Sequence, residues 1–313
     1  MHFLIAGPGA LGCLLFSKLF RGIRGTAHTL GLLDYNGRRA EALSRSGILY
    51  YLGDNKYAVP TDVAAVPQAA TPADVIVFCV KSYDLRNSLD YWNPLINEKT
   101  LLIFMQNGIA HLDLGTHLHD GTVAYGTTTE GATLLAPGQV RHAGSGRTFL
   151  GFPQSVENHF LDLLEKTKTC FENGGLQTDV TDQIMTRLWS KLFINVGINA
   201  LTATLNCRNG ELLSLAGVRD RMKTAVDEAV EIARRLQIDI IEDPYRTTLL
   251  VAEKTADNIS SMLQDVRNCK KTEIDAINGA IEKAGKKLHI PTPENSRLTR
   301  EIKSIEENYP QYP

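Results

Sequence analysis

Lys191, Asn195 and Asn199 lie in an otherwise apolar stretch, WSKLFINVGINALTATL, that begins at Trp189. A spacing of four residues turns a helix by about 400°, so on a helix the three side chains form one polar stripe. An ammonium group can stabilise developing negative charge and donate a proton, and amides offer donors and acceptors. The stripe therefore predicts a site for a polar ligand. The structural alternative is a lysine that extends to water beside amides bonded to neighbouring carbonyls.

A second polar set lies in DNISSMLQDVRNCKKTEIDAING and comprises Asn258, Ser261, Asp265 and Glu273. If the segment is helical throughout, these side chains share about a third of the circumference. The alternative is a new helix capped by Thr272, with Glu273 at its start, where a negative charge is favoured. A solvated face with helix caps would also fit this composition.

A glycine motif follows the first apolar run, in HFLIAGPGALGCLLF. Gly7, Gly9 and Gly12 give G-x-G-x-x-G between a predicted strand and a predicted helix, so residues Gly7, Pro8, Gly9, Ala10, Leu11 and Gly12 are candidates for binding a dinucleotide. The first glycine permits the sharp turn, the second lets a pyrophosphate approach the backbone, and the third lets the helix pack on its strand. A glycine turn without a ligand is the alternative.

Asp34 ends a second predicted strand, HTLGLLDY, and lies 22 residues after Gly12. An acid at about this distance, roughly 20 residues, binds the adenosine ribose and repels a 2′-phosphate, which favours NAD. Arg38 and Arg39 follow, however, and an arginine in this region can hold the extra phosphate of NADP. The structural alternative for Asp34 is a helix N-cap.

Three further strands are predicted in DVIVFCV (residues 74–80), TLLIFMQ (100–106) and TVAYGTT (122–128). Lys81 and the pair Asn107-Gly108 follow two of them, at the carboxyl edge where a parallel sheet binds its ligands. Lys81 could meet a phosphate or a carboxylate, or be an ordinary surface lysine, and Asn107-Gly108 could be only a turn. Residues 137–151 predict a hairpin that adds antiparallel strands at the sheet edge.

The strands and intervening segments predict an α/β fold followed by an all-α region. The expected architecture is an N-terminal Rossmann domain over residues 1–180, with a doubly wound, mainly parallel sheet, and a helical substrate and catalytic domain over residues 181–313. Amphipathic helices are predicted at residues 218–238 and from Glu273 to a point near Pro291. The segment HLDLGTHLHD, with His111, His117 and His119, reads as solvated surface rather than as a metal cluster, so no metal is expected.

Composition excludes several classes of protein. The formal net charge is −2 with no long basic run, so neither a nucleic-acid partner nor attachment to a membrane is expected. The five cysteines are scattered and form no CxxC, as in a reducing compartment, and no signal peptide or membrane span is evident. A cytoplasmic location is predicted, and the oligomeric state, a homodimer included, is left open.

The chain resembles the ketopantoate reductases (2-dehydropantoate 2-reductases) over nearly its whole length. The resemblance rests on the motifs GPGALG, VKS, QNG, KLFINVGINALTA, NCRNGEL, NISSMLQD, TEIDAING and PTPEN. It implies a Rossmann domain followed by a helical domain like that of 6-phosphogluconate dehydrogenase, with the active site in the cleft between them. By position, Lys191 matches the catalytic proton donor, and Glu273 matches a glutamate that assists cofactor and substrate. Asn195, Asn199, Asn209 and Ser261 match substrate-binding positions, Asn258 adjoins them, and Asn107 is a further candidate for contact with the substrate. Gly7 to Gly12, Lys81, Asn107 and Gly131 match dinucleotide-binding positions, and Glu273 is a further candidate for contact with the cofactor.

The resemblance implies reduction of 2-dehydropantoate to (R)-pantoate on the pantothenate pathway, with NADPH as the expected cofactor. One position departs from the pattern, because Asp34 stands where the family often has an arginine, which argues for NADH or for use of both cofactors. Two alternatives remain: a reductase of another small 2-oxo acid, and a protein that senses NAD(P) without turnover.

Overall fold

The structure is a computed structural model that describes residues 1–115 and 121–310, apart from the side chain of Ala69. The chain forms two compact units. The first comprises Met1–Gln106 and Asp113–Ile184, and the second comprises Asn107–Leu112 and Met185–Pro313. The short segment that begins at Asn107 therefore groups with the second unit although its neighbours in the chain belong to the first.

In the part of the chain that the structure describes, the first unit carries the strands and five helices. Its strands are β1 (His2–Ala6), β2 (Thr29–Leu33), β3 (Ile48–Leu52), β4 (Asn55–Val59), β5 (Val63–Ala64), β6 (Val75–Phe78), β7 (Leu101–Phe104), β8 (Thr122–Thr128), β9 (Gly131–Ala136), β10 (Gln139–Gly144), β11 (Thr148–Gly151) and β12 (Thr178–Val180). Its helices are α1 (Ala10–Gly22), α2 (Gly37–Ser46), α3 (Leu85–Trp92), α4 (Leu112–Gly115, which begins on the last residue of the segment from Asn107) and α5 (Asn158–Asn173). Short 3-10 turns lie at Pro67–Ala69, Ser82–Asp84 and Asn93–Leu95.

Eight strands form one sheet in the order β12-β11-β8-β7-β6-β1-β2-β5. From β1 the chain builds outwards through β2 and β5, then returns to the other side through β6, β7 and β8, which is the doubly wound order. All pairs are parallel except β8 with β11. Ala6 is in register with both Leu33 and Phe78, so the loops that follow β1, β2 and β6 leave from one edge of the sheet. The predicted α/β fold is confirmed.

The hairpin prediction for residues 137–151 is only partly right. Pro137 and Gly138 form the turn itself, Gly138 with φ of +73°, and they join β9 to β10 in a separate four-stranded sheet, β4-β3-β10-β9. Only Thr148–Gly151 enters the large sheet, between β8 and β12 rather than at its edge. The prediction went wrong because β3, the parallel partner of β10, lies about ninety residues earlier in the chain, as the pairing of Gln139 with Leu49 shows.

The second unit is helical. It contains α6 (Ile184–Leu205, whose first residue is the last of the first unit), α7 (Val218–Arg235), α8 (Pro244–Lys254), α9 (Ser261–Arg267), α10 (Asn278–Leu288) and α11 (Pro293–Glu307), with 3-10 turns at Gly210–Leu213 and Ile274–Ala276. The helix predicted at residues 218–238 is present and ends at Arg235, whereas the one predicted from Glu273 begins as a 3-10 turn and becomes α-helical at Asn278. The all-α prediction is confirmed. Among the described residues, every helix is too short or too polar to cross a membrane.

Candidate active site

Helix α6 carries the polar stripe and lies in the core of the second unit. Polar side chains in a core need partners, so their presence there indicates either internal hydrogen bonds or a ligand. Buried side chains surround the helix, and Gly197 packs so closely that a Cβ atom would lie 2.7 Å from Thr248 and 3.0 Å from Val226. Asn199 is buried, and Asn195 is half-buried. Neither side-chain amide has a hydrogen-bond partner within residues 1–115 and 121–310. The structural alternative, in which these amides bond to neighbouring carbonyls, is therefore not what the structure shows.

Lys191 is linked to Glu273 through one amide. Its Nζ atom donates to Oδ1 of Asn107 at 3.0 Å, and Nδ2 of Asn107 donates to Oε2 of Glu273 at 3.0 Å. The cation and the anion fix the orientation of the amide, because only its oxygen can accept from the ammonium and only its nitrogen can donate to the carboxylate. Three residues far apart in the sequence thus form one chain of hydrogen bonds within the second unit.

This site shifts the acid–base properties of two side chains. Desolvation lowers the pKa of Lys191 to about 8, against the carboxylate of Glu273, which raises it. His111 is 1% exposed, and burial lowers its pKa to about 4, again opposed by Glu273. The imidazole of His111 is therefore neutral near pH 7. Of Lys191, His111 and Glu273, only Lys191 is then positively charged.

The interpretation of HLDLGTHLHD as solvated surface is wrong for His111. Its ring lies in the core, although the polar residues around it in the sequence suggested a solvent-exposed loop. His117 and His119 lie outside the described residues. Within residues 1–115 and 121–310, no three His, Cys, Asp or Glu side chains are grouped so as to hold a metal ion.

The backbone around Asn107 is held by the turn that follows Glu273. The amide of Ile109 donates to the carbonyl of Ala276 at 3.1 Å. Gly108 adopts a φ of +76°, and a Cβ atom there would lie 1.9 Å from the same carbonyl oxygen. The glycine of the QNG motif is therefore required both by conformation and by close approach, so Asn107-Gly108 is more than an ordinary turn.

The remaining predicted substrate-binding residues lie on segments tied to the C-terminal part of α6. The backbone amide of Asn209 donates to the carbonyl of Asn258 at 3.1 Å. Asn209 is buried, its Nδ2 atom donates to Thr255, and its Oδ1 atom is buried without a hydrogen-bond partner among the described residues. Asn258 and Ser261 are exposed.

Ser261 is placed by its neighbour. Ser260 caps α9 by accepting from the amide of Leu263, and its hydroxyl also bonds to that of Thr202 on α6 at 2.7 Å. The two serines therefore differ in role: Ser260 fixes α9 to α6, and the exposed Ser261 is the first residue of α9. The signal for this division was present in the sequence, since a serine before an apolar run is a typical N-cap.

The segment from Asn258 to Glu273 is not helical throughout. Helix α9 ends at Arg267, and the hydroxyl of Thr272 accepts from the amide of Ile274 at 3.2 Å, at the start of the 3-10 turn. Of the two interpretations left open, the continuous helix is wrong and the break at Thr272 is correct in place, although the element that starts there is a 3-10 turn rather than an α-helix. Glu273 is buried at that break.

The glycine motif has the geometry that a dinucleotide requires. Gly7 has a φ of +99°, and a Cβ on Gly12 would lie 1.9 Å from the carbonyl oxygen of Gly7, so the helix sits directly on its strand. A Cβ on Gly9 would meet nothing within 4 Å, and no side chain caps the N-terminus of α1. An open backbone beside uncapped amides fits a pyrophosphate.

Asp34 is held differently from what its position suggests. Its carboxylate accepts from Nε and Nη2 of Arg39 at 2.5 and 2.6 Å, and from the amide of Asn36 at 3.0 Å. Its side chain is fully buried, whereas that of Arg39 is 38% exposed. The N-cap alternative for Asp34 is wrong, because Asn36 caps α2 by accepting from the amide of Arg39.

Two further predicted positions, Lys81 and Gly131, lie in the first unit, together with Gln106 of the QNG motif. Lys81 is half-buried and directly precedes the 3-10 turn that follows β6, and Gly131 is the first residue of β9. Gln106, quoted in the QNG motif but given no role, donates through Nε2 to the carbonyls of Phe78 and Val80 at 2.9 and 3.1 Å. It therefore holds the loop that leads to Lys81.

Comparison with known proteins gives the family. The family described as ketopantoate reductase PanE/ApbA matches residues 3–155, and its C-terminal counterpart matches residues 183–306. The 2-dehydropantoate 2-reductase of Halobacterium salinarum is 32% identical over 94% of this chain and 95% of its own length. That of Pyrococcus horikoshii is 30% identical over 98% of both chains. This chain belongs to the ketopantoate reductase family.

Solved structures of similar proteins include more than one activity. A ketopantoate reductase family member from Ralstonia eutropha JMP134 has a TM-score of 0.87 and 28% identity, covering 98% of this chain and 99% of its own. A D-mandelate dehydrogenase, solved with NADH and anilino(oxo)acetate, also has a TM-score of 0.87, with 25% identity and the same coverage. The ketopantoate reductase fold of this chain is thus shared with an enzyme named for a different 2-hydroxy acid.

Proposed function

We propose that this chain is an NAD(P)H-dependent 2-dehydropantoate 2-reductase, which reduces 2-dehydropantoate to (R)-pantoate on the pantothenate pathway. The observation that carries the proposal is the half-buried Lys191, bonded to Asn107 and electrostatically coupled to Glu273, in a chain of the ketopantoate reductase family. All five cysteines are unpaired, which supports a cytoplasmic location.

Residues 7–12 would hold the pyrophosphate of the dinucleotide. The open backbone at Gly9 and the uncapped start of α1 support this role. Lys81, Gly131, Asn107 and Glu273 are each proposed to contact the dinucleotide, as the family resemblance implies. When bound, the reduced dinucleotide supplies the hydride that reduces the 2-oxo carbon.

Lys191 is proposed to act as the proton donor. Negative charge grows on the carbonyl oxygen during reduction, and a positioned ammonium stabilises that charge and then protonates the oxygen. A pKa of about 8 suits this task, because the lysine is mostly protonated at pH 7 and yet gives up its proton more readily than an exposed lysine. Asn107 holds the ammonium in place, and Glu273 favours its protonated form.

The substrate is proposed to meet the amides of α6 and the two segments bonded to it. Asn195 and Asn199 have free side-chain amides among the described residues, and the buried Oδ1 atom of Asn209 lacks a partner. These groups suit the hydroxyl of the substrate, while Asn258 and Ser261 suit its carboxylate. A buried acceptor without a partner destabilises the fold unless a ligand satisfies it.

NADPH is the cofactor expected from the family, with NADH as an accepted alternative. Arg39 neutralises Asp34, so the carboxylate that would repel a 2′-phosphate is screened by a partly exposed guanidinium. Arg39 is therefore proposed to set the balance between the two dinucleotides.

Reduction of another 2-oxo acid is a second candidate function. It is favoured by the likeness to a D-mandelate dehydrogenase solved with anilino(oxo)acetate, because one fold can serve more than one 2-oxo acid.

One experiment separates the two candidates. Initial rates are measured with 2-dehydropantoate and with a panel of branched and aromatic 2-oxo acids, each with NADPH and with NADH. We expect the highest kcat/KM for 2-dehydropantoate with NADPH. A higher value for an aromatic 2-oxo acid would transfer the assignment to the second candidate, and no oxidation of either cofactor with any acid would reject both.

A further inference from the structure

Asn278 is a fully buried amide that the proposed chemistry does not use. It is the first residue of α10, and its Nδ2 atom donates twice: to the carbonyl of Val196 on α6 at 3.3 Å and to Oδ1 of Asn295 on α11 at 3.0 Å. Asn278 lies in the motif TEIDAING and Asn295 in the motif PTPEN, and neither asparagine has yet been given a role.

Asn295 extends this link to a fourth helix. It is also fully buried, and its Nδ2 atom donates to the carbonyl of Ala225 at 2.9 Å and to Glu228 at 2.7 Å, both on α7. Glu228 in turn accepts from the backbone amides of Glu294 and Asn295 at the start of α11. One continuous set of hydrogen bonds therefore joins α6, α7, α10 and α11.

The same set of bonds leads back to the candidate active site. The carbonyl of Glu273 accepts from the amides of Ala276 and Ile277 at 3.0 and 3.1 Å, so the turn from Glu273 to Asn278 is short and internally bonded. Val196 lies five residues after Lys191 on α6. The path Lys191–Asn107–Glu273–Asn278–Val196 and back along α6 is thus a closed ring, in which each step is a hydrogen bond, a tight turn or a helix.

The side-chain amide of Asn278 is only partly satisfied, and within residues 1–115 and 121–310 its nitrogen makes all of its hydrogen bonds. Its Oδ1 atom is buried without a hydrogen-bond partner among the described residues, and such an acceptor destabilises a core. Its Nδ2 atom supplies a donor to the buried Oδ1 of Asn295 and ties α10 to the carbonyl of Val196 on α6. The nitrogen therefore links α6 to the helix that follows the turn carrying Glu273.

We propose that Asn278 is a positioning residue that closes this ring and thereby fixes Lys191 relative to Asn107 and Glu273. The inference rests on the proposed function of Lys191. A shift of about 1 Å in a catalytic group can cost roughly 100-fold in rate, so a loosened ring reduces turnover even though Asn278 touches no reacting atom.

The test compares Asn278→Leu with Thr299→Val in the full-length protein. Thr299 is a matched control, because it is buried on α11 and its hydroxyl donates to the carbonyl of Asn295, yet it makes no bond to α6. For N278L we expect kcat to fall by about 10- to 100-fold, with the dissociation constant of NADPH, followed by its fluorescence, within about twofold of wild type. For T299V we expect a lower Tm with unchanged kcat.

A second readout does not depend on turnover. Acylation of Lys191 by acetic anhydride, measured by mass spectrometry of its peptide, should be faster in N278L, because the amine is no longer held by Asn107, and unchanged in T299V. If N278L does not fold, Asn278→Ser, which keeps one donor on a shorter side chain, carries the same two measurements.

A wild-type kcat and wild-type Lys191 acylation in a folded Asn278 variant would overturn the proposal and make Asn278 an ordinary core residue. Failure of the proposed function is a different result: the wild-type protein would oxidise no cofactor with any 2-oxo acid, and faster acylation in the Asn278 variant would still support the ring.

Discussion

At the end of β2, the carboxylate of Asp34 is bonded directly to Arg39, whereas in the helical unit the amide of Asn107 lies between Lys191 and Glu273. The first is a bidentate ion pair, a geometry in which a guanidinium and a carboxylate hold one another rigidly. The hydrogen bond to Asp34 raises the pKa of Arg39, so this cation does not release a proton at any working pH.

The second arrangement keeps opposite charges near one another but out of contact. Glu273 still favours the protonated form of Lys191, yet desolvation prevails and the pKa of the lysine falls to about 8. An intervening amide orients the ammonium without accepting its proton, because an amide oxygen is a poor base. The directly paired guanidinium therefore keeps its charge, whereas the bridged ammonium has a pKa of about 8 and can give up a proton near neutral pH.

Removal of the ammonium of Lys191 should have the largest effect on turnover. In Lys191→Met, kcat should fall by about 100- to 10,000-fold, the range that general acid catalysis supplies, with NADPH binding nearly unchanged. Lys223→Met is the control, because Lys223 is an exposed lysine of the same unit that pairs with Asp227. Steady-state reduction of 2-dehydropantoate measures both. Near-normal turnover by K191M would show that Lys191 is not the proton donor, and the contrast between the direct and the bridged pair would then say nothing about catalysis.

The sequence predicted the charged groups far better than their partners. The stripe on α6 follows from helical spacing alone, and β8 was predicted with its observed bounds, because both depend on local periodicity. The partner of Lys191 lies 84 residues earlier in the chain, and Glu273 lies 166 residues after Asn107. Such contacts depend on how distant segments pack, which no local pattern encodes. Only the family motifs had indicated that these residues act together.

The errors have the same cause. His111 was interpreted as a solvated residue from its polar neighbours, although tertiary packing buries it near Glu273. Asn278 and Asn295 received no role, because a single asparagine in an amphipathic helix has no distinctive periodicity. The direct pair was closer to prediction, since Arg39 is only five residues from Asp34 and both had been singled out.

Removal of the bridge should have the next largest effect. Asn107→Leu has a similar volume and eliminates both hydrogen bonds, so Lys191 loses its orientation while both charges remain. We expect kcat to fall by about 10- to 100-fold. Acylation of Lys191 should become faster at a given pH, as in the Asn278 variant. Unchanged kcat in N107L would mean that the amide of Asn107 does not position the ammonium of Lys191. The difference between this bridged pair and the direct Asp34–Arg39 pair would then have no consequence for turnover.

Removal of the carboxylate of Glu273, which is not in direct contact with Lys191, should change the pH dependence of activity more than the maximal rate. Glu273 raises the pKa of Lys191, so Glu273→Gln, which is nearly isosteric, should lower that pKa below its present value of about 8. The acid must be protonated, and activity is lost as pH rises through its pKa. The alkaline limb of kcat/KM against pH should therefore move to lower pH in E273Q. A limb that stays in place, or moves to higher pH, would contradict the assigned coupling.

Disruption of the direct pair should have the smallest effect, and on binding rather than on turnover. In Arg39→Gln the carboxylate of Asp34 loses its counter-charge and repels a 2′-phosphate, so the ratio of the dissociation constants of NADPH and NADH should rise by about tenfold, on the order of 1.4 kcal/mol. Arg45→Gln is the control, because Arg45 is an exposed arginine of α2 that pairs with Glu41. The double variant Asp34→Asn/Arg39→Gln should return most of the ratio, because the repelling charge is gone. Fluorescence titration of each variant measures both constants without substrate. An unchanged ratio in R39Q would show that this pair does not face the adenosine ribose, and the role of a fixed recognising charge would then have to be assigned elsewhere.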